Sequence, residues 1–319
     1  MTAAQECADV YPHLSCGLTY TTEADCNSAG CCWDATPEAL NSCFAPKING
    51  YSFTPTVTSP SITSGTLSLI QASGILGPDF TDLTLDITQE TADRTHIKIA
   101  PSTALYGERW EVPEAVLPRP GGVFEGEANS QYIISASAED PGPPLELFVA
   151  RTEGGEVTNE LIFILSKMLV FQDQYLEFVL GTPPDNAALF GVGESTRAVQ
   201  QLQVNSTYTL WNTDIASAVF DASLYGTHPF LIQISTTGKA SGILFMNSNA
   251  MDISVFHSDS QGNSVGVQST GGVIDLYVFA GPTPADVVRQ FQEVVGKPAL
   301  VPYWSLGFHN CKVGGTLYF

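Results

Sequence analysis

Six of the seven cysteines in this 319-residue chain fall within its first 43 residues, at Cys7, Cys16, Cys26, Cys31, Cys32 and Cys43. None of them forms a C-x-x-C pair, so the segment does not read as a zinc site, and no metal is expected. An even number of cysteines crowded into so short a stretch reads instead as a disulfide framework. A unit of that size cannot bury enough apolar surface to hold itself together, and cross-links supply what the core lacks. Such a framework implies an oxidising compartment. Six cysteines allow 15 connectivities, of which 12 avoid a strained bridge between the adjacent Cys31 and Cys32. The seventh, Cys311, is left over near the other end. The opening MTAAQECADV has neither a basic n-region nor an apolar h-region, so the compartment is argued from the cysteines and not from a visible signal peptide.

The chain as a whole has globular composition, 44% hydrophobic and only 14% charged, which excludes bulk disorder. The 33 acidic residues outweigh the 12 basic ones, for a net charge of -21. A field of that sign repels phosphate backbones and anionic lipid, so neither nucleic acid nor a membrane surface is an expected partner. No apolar run approaches the roughly 18 residues of a membrane span. The Ser-, Thr- and Pro-rich stretch from Tyr51 to Gly65 reads as a linker or edge strand, and from there to about Gly281 the pattern is mostly of short strands. LTLDI (83–87) and THIKIA (95–100) alternate with period two, and LELFVA, ELIFIL, YLEFVL, FLIQIS, GILFMN and VIDLYVFA are β-branched or aromatic runs between turn signals. This predicts a mainly β fold, a large antiparallel sandwich. One helix interrupts it. Thr283 is placed to cap, Pro284 sits in the first turn, Asp286 completes a capping box, and Val287, Val288, Phe291, Val294 and Val295 form an apolar stripe before Gly296. Boundaries are drawn at 1–48, 49–297 and 298–319.

The first unit, with ADCNSAGCCWD followed by NSCFAP, resembles a trefoil (P-type) domain. The resemblance implies the pairing Cys7–Cys32, Cys16–Cys31 and Cys26–Cys43, and it implies a compact unit able to fold without the sandwich. Ser42 stands where the family usually has a tryptophan, so Trp33 and Phe44 are expected to pack and not to bind sugar.

The larger unit resembles the N-terminal part of glycoside hydrolase family 31, the α-glucosidases of maltase type. The matching stretches are LFGVGE (189–194), TLWNTD (209–214), LYGTHPF (224–230), GILFMNSNAMDI (242–253), GGVIDLYVFAGPTPADVVRQF (271–291) and PYWSLGFHNCK (302–312). The resemblance implies a galactose-mutarotase-like sandwich, with PYWSLGFH as the first, incomplete strand of a (β/α)8 catalytic barrel. It places the nucleophile and acid/base carboxylates on later barrel strands, and retaining hydrolysis needs both, about 5 Å apart. The expectation is therefore an N-terminal fragment of an α-glucosidase, with no catalytic residue of its own and no cofactor. Its partner would be an α-glucoside or glycan, its location the secretory pathway, whether extracellular or in a vacuole or lysosome. The alternative is a non-enzymatic trefoil–sandwich module that binds glycans. Aldose epimerisation is a third reading, but it needs a Glu/His pair across a sugar ring, which no quoted motif places.

Within that frame the substrate-binding candidates are Asp214 and Trp211. The resemblance puts Asp214 on a loop over the barrel mouth, and a carboxylate can accept hydrogen bonds from two sugar hydroxyls. Trp211 offers an indole face for stacking. Asn205-Ser206-Thr207 is a glycosylation sequon with Asn205 as acceptor. The polar cluster Asn247, Ser248, Asn249 and Asp252 is expected to cap backbone at a sheet edge.

Overall fold

The computed structural model describes residues 7, 16, 22–35, 42–44, 50–126, 132–136, 144–153, 156–182, 187–214, 219–258 and 262–310. Cys311 and the rest of 311–319 lie outside the described residues. In the first unit, helix α1 (Glu23–Ser28) starts where the Thr22 hydroxyl accepts from the Asp25 N–H. Two short strands, β1 (Cys32–Trp33) and β2 (Cys43–Phe44), pair antiparallel behind it. The bridges are Cys7–Cys32, Cys16–Cys31 and Cys26–Cys43. The Sγ atoms of Cys26, Cys31 and Cys43 cluster within 4.8 Å, but each is bonded in a bridge, so the cluster is not a metal site.

Fifteen strands then build two antiparallel sheets. They are β3 (Tyr51–Thr58), β4 (Ile62–Leu69), β5 (Asp82–Gln89), β6 (Arg94–Pro101), β7 (Tyr132–Ala136), β8 (Leu147–Glu153), β9 (Glu156–Phe171), β10 (Leu176–Gly181), β11 (Ala188–Ser195), β12 (Ser206–Leu210), β13 (Ser223–Ile234), β14 (Ala240–Phe245), β15 (Met251–Ser258), β16 (Gly262–Ser269) and β17 (Ile274–Phe279). A short helix, α2 (Thr103–Tyr106), follows β6. One sheet runs β12-β15-β16-β10-β9-β8-β7, the other β11-β13-β14-β17-β6-β5-β4-β3. The period-two pattern works as read. Leu83, Leu85 and Ile87 of β5 and Ile97 and Ile99 of β6 point inward, meeting Leu147, Val149, Leu165, Phe178, Val265 and Val267 from the facing sheet in one core. The Tyr51–Gly65 stretch, rich in Ser, Thr and Pro, forms edge strand β3 and part of β4. Its Pro55 is tolerated because an edge strand needs no second ladder.

Each sheet has strands buried on both faces, and the second face has its own cover in each. On β17 the outward Tyr277 and Phe279 lie beneath helix α3 (Pro284–Val295), in a second core with Leu244, Met246, Val287 and Val294. Thr283 and Asp286 close the expected capping box. The apolar stripe turns slightly from expectation. Val288 is partly exposed, while Gln290 is buried and exchanges hydrogen bonds with both the N–H and C=O of Gly281. On β9 and β10 the outward Met168 and Val179 are covered by Cys32 and Phe44. The first unit thus packs on the sandwich through Cys32 and Phe44.

The stretch expected to be a barrel strand is a 3-10 turn at Tyr303–Leu306. Among the described residues no strand pairs with it, and its backbone bonds locally, Ser305 N–H to Pro302 C=O at 2.9 Å and Gly307 N–H to Trp304 C=O at 3.1 Å. Tyr303, Trp304, Leu306 and Phe308 are all exposed.

Candidate functional site

β11 is an edge of the eight-stranded sheet and β12 an edge of the seven-stranded sheet. The segment between them is stitched to β11 by Leu202 N–H to Leu189 C=O at 2.8 Å and by a bridge from Phe190 to Gln201. Where these edges meet the start of β13, the sandwich opens into a cleft of about 330 Å³. Its walls come from three of the sequence stretches singled out above: LFGVGE and the residues after it, TLWNTD, and the chain entering LYGTHPF.

The LFGVGE wall is shaped by its backbone. Gly191 has φ 113°, and a Cβ there would fall 2.1 Å from the Phe230 carbonyl oxygen, so no other residue fits. The register between β11 and β13 shifts on either side of Gly193, which turns the strand end outward. Glu194 follows, its Oε2 accepting from the Gly226 N–H at 3.1 Å. Arg197 then reaches back: Nη2 donates to the Gly191 C=O at 2.5 Å and the guanidinium lies 4.7 Å from the Tyr208 ring centroid, an attractive cation–π placement. Burial lowers the Arg197 pKa below its ordinary value, with Tyr208 and Asp221 pulling the other way. Among the described residues its buried Nε has no hydrogen-bond partner, and neither has the buried Ser223 Oγ.

Thr213 sets the loop after β12. Its N–H donates to Leu224 C=O at 3.0 Å and its hydroxyl to Ser223 C=O at 3.1 Å. This fixes Trp211 on the cleft wall, 60% exposed. Asp214, one residue past the anchor, is exposed and does not line the cleft. The two sequence candidates therefore share a loop but not a pocket. Asn205 is exposed in the turn before β12, its N–H bonded to Val255 C=O. Asn247 caps backbone as expected, donating to Gly271 C=O at 2.9 Å and accepting from Asn249 N–H at 2.7 Å.

Sequence reasoning gave no role to Glu194, Arg197 or Ser223. The signal available was a polar run, ESTR, directly after a glycine pair inside a matched motif. It also found no Glu/His pair. The fold brings Glu194 and His228 to either side of Gly226, whose Cβ position is 3.4 Å from Glu194 Oε2 and 3.6 Å from His228 Nε2. Chemically, the cleft offers hydroxyl, carboxylate and guanidinium groups beside an open indole, a set suited to a polyhydroxyl ligand with an apolar face.

A family profile described as the glycosyl hydrolase 31 N-terminal galactose mutarotase-like domain matches residues 84–253, more than half of the chain. A trefoil (P-type) profile matches residues 7–46. The chain is 38% identical over 257 residues to a probable α-glucosidase of Oryza sativa subsp. japonica, covering 75% of this chain and 27% of that protein. It is 34% identical over 302 residues to the lysosomal α-glucosidase of Rattus norvegicus, covering 92% of this chain and 29% of that protein. A crystal structure of glucosidase II α subunit superposes with a TM-score of 0.67 at 15% identity, over 82% of this chain and 36% of that one, a likeness of fold. The chain thus spans between a quarter and a third of the curated relatives' length.

Proposed function

Because the chain belongs to glycosyl hydrolase family 31, carrying its N-terminal galactose mutarotase-like domain behind a trefoil domain, we propose that it is the substrate-facing front module of an α-glucosidase of the secretory pathway. In this reading the α-glucoside is cleaved by a carboxylate pair on a barrel that follows the sandwich. The present residues turn over no substrate by themselves. Their part is the loop from Trp211 to Asp214, anchored by Thr213, which places an exposed carboxylate and an exposed indole at the edge facing the sugar. That anchored loop, in a TLWNTD stretch, is the observation that carries the proposal. Asn205, exposed on the neighbouring turn, is the proposed glycan acceptor. No helix among the described residues is long and apolar enough to cross a membrane.

The test has two parts. The purified chain should give no release of glucose from maltose or an aryl α-glucoside; turnover well above a buffer blank, abolished by Glu194→Gln or Asp221→Asn, would contradict the reading. Residues 1–308 should also replace the matching segment of the rice relative and support hydrolysis. In that chimera Asp214→Asn should lower kcat/KM by about tenfold, the worth of one charge-assisted hydrogen bond to substrate. An Asp214→Asn chimera as active as its parent removes Asp214 from the substrate site.

The non-enzymatic alternative, a trefoil–sandwich module binding glycans, draws on the same cleft. It predicts glycan affinity in the chain alone and no activity in the chimera.

A further inference from the structure

We propose that Glu90, His96 and Asp275 form a proton-operated latch that fastens the strap of residues 107–126 to the outer face of the eight-stranded sheet, more tightly as the pH falls. The latch depends on neither a barrel nor a substrate. His96 stands outward on β6, its side chain 19% exposed, between two carboxylates whose side chains are only 3% and 2% exposed. Its Nε2 lies 2.7 Å from Asp275 Oδ1 and its Nδ1 3.7 Å from Glu90 Oε1. A neutral imidazole has a single N–H, so one of its nitrogens would turn a lone pair toward a buried carboxylate. Only the imidazolium presents an N–H to both. The ring also lies flat on Tyr277, with centroids 4.3 Å apart and planes 4° from parallel, a placement that favours a cation. Burial of the ring and the guanidiniums of Arg94 and Arg119 work against that charge. The balance of the surroundings favours it. Glu90, Asp93 and Arg94 stand at the β5–β6 turn, Asp86 and Lys98 on the strands, Asp275 on β17, Glu111 and Arg119 on the strap and Glu293 on α3. Among the described residues, six carboxylates thus face three cations before the ring is counted.

The strap meets this cluster at both carboxylates. Arg119 Nη2 sits 3.7 Å from Asp275 Oδ2, while the same guanidinium holds the strap's own turn through Val112 C=O at 3.0 Å and Leu117 C=O at 2.6 Å. Beside Glu90, the Phe124 N–H donates to Gln89 C=O at 2.9 Å. Val112 and Leu117 pack on the second core with Tyr277 and wall an apolar groove of about 530 Å³ along α3. Releasing the proton leaves Glu90 Oε1 against a lone pair, in a place where little water can screen it. A proton bound more tightly by the folded chain stabilises the fold where the unfolded imidazole is charged, below about pH 6.5. It contributes nothing once both forms have released it.

The experiment compares thermal midpoints of the intact, disulfide-bonded chain with those of His96→Gln and Asp275→Asn between pH 5 and pH 8.5. Burial raises the Glu90 carboxyl as well, so the share of the imidazole is read as the difference between parent and His96→Gln, in which Glu90 stays. The parent should exceed His96→Gln by a margin about 2–4 °C wider at pH 5 than at pH 8.5, the worth of a tenfold gain in proton affinity on folding. Asp275→Asn should flatten the parent's pH dependence in the same direction, since one acceptor of the charge is gone. In the parent itself, NMR of the ring nitrogens, assigned by the signals missing from His96→Gln, should find His96 mostly doubly protonated at pH 7. Protection of the Phe124 amide, corrected for its intrinsic exchange rate, should be at least about threefold greater at pH 5 than at pH 8.5, and this difference should vanish in His96→Gln. Parallel midpoint curves for parent and His96→Gln overturn the latch, and so does a mostly neutral His96 ring at pH 7. Equal protection of the Phe124 amide at both pH values in the parent overturns the fastening of the strap.

Discussion

At the scale of single residues, a buried charge is decided by its neighbours and not by its own type. Glu90 has a side chain only 3% exposed, bonded to Arg94 Nε at 2.8 Å, with His96 Nδ1 3.7 Å away. Burial is the largest influence on it and raises its pKa; the hydrogen bond and charge of Arg94, then His96, pull it down without cancelling the rise. A raised carboxyl takes up its proton more readily when folded. Its contribution is therefore fully present below the unfolded pKa near 4.5 and is lost as pH climbs through the folded value. Glu90→Gln, which mimics the protonated form, should lose less stability than the parent between about pH 4 and pH 7. Thermal melts across that range test this: parallel curves for parent and variant would show that Glu90 does not carry the dependence. The sequence marked Glu90 only as one acid among 33. What singles it out is a partner on β6, which only the folded hairpin supplies.

Among the elements, α3 was legible almost in full, because cap, first-turn proline and apolar spacing are local signals that agree. Thr283→Ala should cost about 1 kcal/mol by removing the cap, lowering the melting midpoint by about 2–3 °C. A midpoint unchanged within error would mean that the α3 start is held by packing alone. The burial of Gln290 was not legible, since its reason is the Gly281 backbone, which needs a donor and an acceptor where β17 hands over to the helix. The segment at 302–308 shows the complementary limit. Its apolar and aromatic run reads as a strand, yet strand pairing is a property of two segments, and among the described residues it has no partner strand. Deleting residues 298–319 should improve solubility and leave the sandwich midpoint nearly unchanged, because Tyr303, Trp304, Leu306 and Phe308 expose an apolar patch and bury almost nothing. A midpoint lowered by many degrees on deletion would mean that the tail is docked.

Across the whole molecule, the two units share an apolar contact as well as a chain. Phe44 and Cys32, both buried, lie on Met168 and Val179 of the outer sheet face. Phe44→Ala should leave the three bridges closed yet loosen this contact, so that limited proteolysis separates the units at least about tenfold faster. Cleavage at the parent's rate would show the docking to be incidental. The sequence by itself determined the elements and their class. Alternating strands, a capped helix, turn residues and a cysteine-dense first unit are encoded locally, in residues a few positions apart. The ordered stretches from LFGVGE to VIDLYVFAGPTPADVVRQF carried the family. Only the tertiary structure decided which stretches share a wall. Glu194 and Ser223 come from β11 and β13, Arg197 and Trp211 from the segments that follow β11 and β12, and they converge because the edges of two sheets close on the same side of the sandwich. That convergence is set by sheet order and register, long-range pairings that no local pattern reports. The cover over β9 and β10 has the same origin: hydrophobicity marks a residue for burial, but which surface buries it is chosen by the packing of the whole chain.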